Sequence, residues 1–90
     1  NIKRLIMASL ELEIVTSEET VFSGDVDYVS AKSVDGQIGI LPNHISLISE
    51  LDKGSLLWRS GNKEQDISIQ GGFIEIMKNK VTILVDGSIK

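Results

Sequence analysis

His44 is the single histidine of the chain and follows a proline in Ile40-Leu41-Pro42-Asn43-His44-Ile45. A histidine there could hold a ligand, move a proton or touch a partner. Proton chemistry needs a group to orient the imidazole and a nucleophile or substrate proton within hydrogen-bond reach. The sequence supplies no such set, so a small hydrolase built on His44 lacks its parts. A loop-capping hydrogen bond or an interface contact asks less of the surroundings. Two acidic pairs, Glu11/Glu13 and Asp25/Asp27, have a spacing of two. On a strand that spacing puts both carboxylates of a pair on one face. Such a pair could hold a cation or serve glycoside chemistry, but the same spacing is also the ordinary solvated face of a strand. Gly71-Gly72 lacks the Gly-Lys-Ser/Thr ending and the following helix of a phosphate loop. A bulge or tight turn, where glycine accepts positive φ, explains it better. Trp58 could stack on a sugar or a base, but the chain has only one Trp, one Tyr and two Phe, too few for a stacking platform.

The segments that carry these residues alternate with period two. Leu10, Leu12 and Ile14 share one face of the first run, with Glu11 and Glu13 on the other. Residues 26–34 read as one extended stretch, with Tyr28 on one side and Val29 and Ala31 on the other. Asp35-Gly36 is a hairpin-type turn signal. Residues 37–41 form a short strand closed by Pro42, which removes a ladder donor. In the run 45–51, Ile45, Leu47 and Leu51 lie on one side. Strands follow over 55–59, 65–70, 73–78 and 81–85, separated by Gly61-Asn62, Gly71-Gly72 and Asn79-Lys80. Twenty residues are Val or Ile and only two are Ala, a bias that suits a pleated, half-buried surface and not a helix. No window shows a helical period. The expectation is an all-β domain, an antiparallel β-sandwich or flattened barrel of about ten short strands.

Ninety residues make one small domain. The formal net charge of −4 argues against nucleic acid as the main partner, because a phosphate backbone requires a basic face. With no cysteine, disulfides, thiolate metal sites and cysteine nucleophiles are excluded. No apolar run approaches the length of a membrane-spanning helix, so membrane association is expected only through a partner. Residues 1–9 are basic and apolar but too short for a signal-peptide core before Glu11. They read as a leader or ragged start ahead of a domain over 10–90, with Met7 as a native beginning.

The order of motifs adds to this reading. Val21-Phe22-Ser23-Gly24 precedes Asp35-Gly36-Gln37-Ile38-Gly39-Ile40-Leu41-Pro42-Asn43-His44. Gly54 follows, then Gly71-Gly72-Phe73-Ile74-Glu75-Ile76 and a closing Val81-Thr82-Ile83-Leu84-Val85. This series resembles the N-terminal domain of the epsilon subunit of bacterial and chloroplast ATP synthases, called delta in mitochondria. The likeness runs from Leu10 to about Ile89.

The resemblance implies a ten-stranded β-sandwich at the foot of a rotary central stalk. Its partners there would be the gamma subunit and the polar loops of the membrane c-subunit ring. It would couple ion flow to rotation and would have no catalytic residue, cofactor or metal of its own. Its place would be peripheral on an energy-transducing membrane. The match to the Gly-x-x-Gly-Ile-Leu-Pro-x-His segment makes Gln37, Leu41, Pro42, Asn43 and His44 the expected ring and stalk contacts. Many members have an acidic residue where Gln37 stands and a proline where Ser46 stands. Gln37 keeps hydrogen bonding but loses the charge for a salt bridge. Most bacterial and chloroplast members continue into an inhibitory helical hairpin. No helical pattern occurs before Lys90, so that hairpin is absent from these residues and its inhibition and ATP sensing are not carried over. The alternative from a different class is a small ligand- or carbohydrate-binding β-sandwich with Trp58 as its platform.

Overall fold

The computed structural model describes residues 9–42 and 46–86, and among them there are nine strands and no helix. They are β1 (Leu10–Val15), β2 (Thr20–Val26), β3 (Tyr28–Ser33), β4 (Gly36–Ile40), β5 (Leu47–Leu51), β6 (Gly54–Ser60), β7 (Lys63–Ile69), β8 (Gly72–Met77) and β9 (Lys80–Val85). They follow the order β2-β1-β9-β8-β5-β3-β6-β7, with β4 on the free side of β3. The sheet folds over at β5 and β3, whose pairing is confined to Ser33↔Leu51 and the flanking backbone bonds from Val34 N–H to the Glu50 carbonyl and from Asp52 N–H to the Lys32 carbonyl. Two layers result, β2-β1-β9-β8-β5 and β4-β3-β6-β7. The all-β sandwich expected from the alternating runs is therefore present.

The alternation supplies the core. Leu10, Leu12 and Ile14 of β1, Ile74 and Ile76 of β8, and Val81 and Ile83 of β9 all point inward and are buried. Val29, Ile40, Leu56 and Trp58 meet them from the other layer. Each such side chain contributes roughly 1.5–3 kcal/mol relative to exposure. Trp58 lies against Phe22 of β2, with ring centroids 4.9 Å apart, and this pair fastens the ends of the two layers together.

The structure corrects the sequence reading in three places. The sheet is not wholly antiparallel, because β1 and β9 pair in parallel from Glu11↔Lys80 to Val15↔Leu84. The stretch 26–34 is not one strand. It bends at Asp27, whose N–H donates to the Arg59 carbonyl at 2.9 Å and whose Oδ2 accepts from the Gly61 N–H at 3.0 Å. Val26 closes β2 and Tyr28 opens β3, so the chain passes from one layer to the other at that residue. Finally, a strand runs from Thr20 into the bend, ahead of the stretch 26–34.

Gly71-Gly72 acts as expected for a tight backbone site. Gly71 and Gly72 have φ of 151° and 153°. Gly72 pairs with Leu51 of β5 and with Val85 of β9. A Cβ there would run into the Leu84 carbonyl oxygen, so three backbones meet where only glycine fits.

Candidate functional site

Three of the expected contact residues, Gln37, Leu41 and Pro42, lie on or just after the edge strand β4. Gln37 is the second residue of β4 and is exposed, with its Nε2 donating to Ser30 Oγ at 2.8 Å. Leu41 follows the last residue of β4 and is 58% exposed, and Pro42 is half-buried in the next turn. Asn43 and His44 lie outside the described residues. Gln37 and Leu41 share the outward parity of β4, but four residues of strand hold them about 13 Å apart. They flank one edge and do not form a cluster.

Between them lies a feature that the sequence reading did not single out. A Cβ on Gly39 would stand 3.0 Å from the Tyr28 hydroxyl, so the absent side chain at 39 lets the Tyr28 ring lie over β4. The Arg59 guanidinium carbon sits 4.7 Å from the Tyr28 ring centroid, within cation–π range. Gly39, Tyr28 and Arg59 thus form a stacked ridge beside Leu41. The signal for it was the pairing Tyr28↔Arg59, which only the fold supplies.

A second surface lies on the outer face of the other layer. Ile48 is 73% exposed, Phe73 52% and Leu84 47%. Phe73 faces Leu84 across β8 and β9, and Ile48 pairs with the neighbouring Glu75. They line an open groove of about 420 Å³ with Glu75 and Thr82. Single exposed apolar residues are common, but an adjoining set on one sheet face marks a place for a partner. This set was within reach of the sequence. Placing Leu47 and Leu51 inward turns Ile48 outward, and placing Ile74 and Ile76 inward does the same to Phe73.

The chemical alternatives find little support. Glu11 and Glu13 lie on the solvated side of β1, and Lys80 of β9 sits between them at 3.7 and 3.9 Å. Among the described residues no group of three His, Cys, Asp or Glu is placed to hold a metal. Trp58 is only 3% exposed and has no free face for a sugar ring. No helix of the described residues is long and apolar enough to cross a membrane.

The described residues form an all-β sandwich with an open apolar strip on one face. The model of the ATP synthase Delta/Epsilon chain beta-sandwich domain matches residues 9–90, and the chain belongs to that family. It is 49% identical over 80 residues to the ATP synthase epsilon chain of Nitratidesulfovibrio vulgaris (strain Miyazaki F), covering 89% of this chain and 60% of that one. It is 38% identical over 82 residues to the epsilon chain of Alkalihalophilus pseudofirmus, covering 91% and 62%. The chain therefore spans about three-fifths of the length of these curated relatives. In fold it is similar to a chain of the Euglena gracilis mitochondrial ATP synthase, solved with OSCP, F1 and c-ring. That match has a TM-score of 0.83 and 24% identity, over 89% of this chain and 52% of the other. A chain of the Tetrahymena thermophila mitochondrial ATP synthase central stalk and c-ring matches with a TM-score of 0.74 and 20% identity, over 87% and 63%.

Proposed function

We propose that this chain is the sandwich part of a rotor subunit of an F-type ATP synthase. In this reading it joins the gamma subunit to the c-subunit ring and transmits torque without chemistry of its own. The family match over residues 9–90 carries the reading. The exposed strip of Ile48, Phe73 and Leu84 supports it, because it offers an apolar face for gamma. The loop after β4, with Leu41, Pro42, Asn43 and His44, meets the ring, and Gln37 borders that contact from the hairpin end. The protein is then peripheral on the soluble side of an energy-transducing membrane and held there by the ring.

Stiffness suits the task. A connector under torque must not shear, and every layer here is tied by long-range strand pairing. The test is titration of the chain with purified gamma subunit from the same source, followed by calorimetry. One-to-one binding that Phe73→Glu abolishes, with the circular dichroism spectrum unchanged, is the expected result. Absence of binding at micromolar concentration overturns the reading.

A further inference from the structure

Charge is distributed unevenly between the two outer faces. The strands of β2-β1-β9-β8-β5 carry Glu11, Glu13, Asp25, Glu50 and Glu75 outward, against Lys80 and, in the β8–β9 turn beside Glu11 and Asp25, Lys78. Five carboxylates and two ammoniums leave three negative charges on this face. The outer face of β4-β3-β6-β7 is balanced, with Lys32 and Arg59 against Glu64 and Asp66. Lys80 is already engaged by Glu11 and Glu13. Glu50 and Glu75 have no ion-pair partner among the described residues, and they are the two carboxylates that border the apolar strip. Glu50 is paired with Phe73 and Glu75 with Ile48.

We infer that the strip of Ile48, Phe73 and Leu84 receives a protein segment whose apolar stripe is bordered by lysine or arginine, with Glu50 and Glu75 as the charges that select it. The inference rests on the reading of this face as the gamma-facing side. It adds the chemistry that the partner segment must have. An apolar centre supplies the contact area, and charges at its margin set encounter rate and register. The same charges exclude other occupants. A second copy would bring its own five carboxylates against these, and a nucleic acid or an anionic membrane would be repelled in the same way.

Affinity of the full chain for purified gamma subunit, measured at about 50 and about 300 mM salt, tests this directly. Wild type should weaken roughly tenfold or more between the two, since rim charges are screened over that range. The double variant Glu50→Lys, Glu75→Lys should bind roughly tenfold more weakly at low salt and should lose most of the salt dependence. Glu64→Lys, Asp66→Lys on the opposite face should bind as wild type does. If wild type binds gamma but the Glu50/Glu75 variant binds equally well, the inference is overturned while the rotor reading stands. If affinity does not change with salt, the inference fails in the same way. If wild type does not bind gamma at all, the rotor reading fails and the inference falls with it. Self-association of the free chain that the same variant abolishes would also overturn it, by giving the face to a second copy.

Discussion

Glycine positions in this sandwich divide by what surrounds them. At Gly72 the φ of 153° and the Leu84 carbonyl both exclude a side chain. At Gly36, with φ of 132°, a Cβ would meet nothing within 4 Å. Gly36→Ala should therefore cost about 1 kcal/mol of backbone strain alone, and Gly72→Ala should cost about 3 kcal/mol or more because β9 must also move. Urea midpoints of the two variants give the comparison, and equal losses would contradict it. Trp58 supplies a second test. Its Nε1 is buried without an acceptor among the described residues, an arrangement that costs free energy. Trp58→Phe keeps the ring contact with Phe22 and removes the orphan donor. It should stay within about 1 kcal/mol of wild type, whereas Trp58→Ala should lose roughly 3–5 kcal/mol. Of these residue roles, the glycine pair was legible as a conformational site from Gly71-Gly72 alone. Trp58 was legible as a core or interface residue because the chain has too few aromatics to surround it with a platform. The Tyr28–Arg59 stack was not legible, since 31 residues separate its members and only the strand register joins them.

Strand pairing shows where period-two reasoning stops. Alternation assigns each side chain to a face, and it did so correctly for β1, where Leu10, Leu12 and Ile14 are buried. It does not assign direction. Parallel strands are usually covered on both faces, and their sequences then read as continuous apolar runs. Leu10–Val15 alternates with glutamate, which argued for an antiparallel neighbour, yet it lies parallel to Lys80–Val85. The parallel seam keeps its outer face wet, with Lys80 between Glu11 and Glu13. Its strength should come from the inner face. Ile83→Ala, at a fully buried position, should destabilise the domain by roughly 2–5 kcal/mol. Lys80→Ala, whose ion pairs are exposed, should cost less than about 1 kcal/mol. Thermal unfolding of both variants checks the ranking, and a larger loss at Lys80 would contradict it. The bend at Asp27 escaped notice for a related reason. No glycine or proline marks it, and the hydrogen bonds that fix it come from Arg59 and Gly61 on another hairpin.

At the scale of the molecule, the sandwich presents an acidic face with an apolar centre, a balanced face with an aromatic–arginine ridge, and an edge strand that ends beside Leu41 and Pro42. The motif series around Gly39, Pro42 and Gly72 made the family legible before any fold was in view. The apolar strip was less so, because its members come from three strands and meet only when β5, β8 and β9 lie side by side. If the loop meets the c-subunit ring, Asn43→Glu, His44→Glu should lower ATP-driven ion pumping of the assembled enzyme while leaving the unfolding midpoint of the chain unchanged. Unimpaired pumping would remove those two residues from the ring contact.

If the gamma subunit covers the face of β5, β8 and β9, that face is shielded from solvent in the complex. Amide hydrogen exchange of the chain, free and bound to purified gamma subunit, tests it most directly. Slowed exchange over 47–51, 72–77 and 80–85 is expected, with 63–69 on β7 unchanged. Protection confined to β7, or spread evenly over both layers, would contradict it.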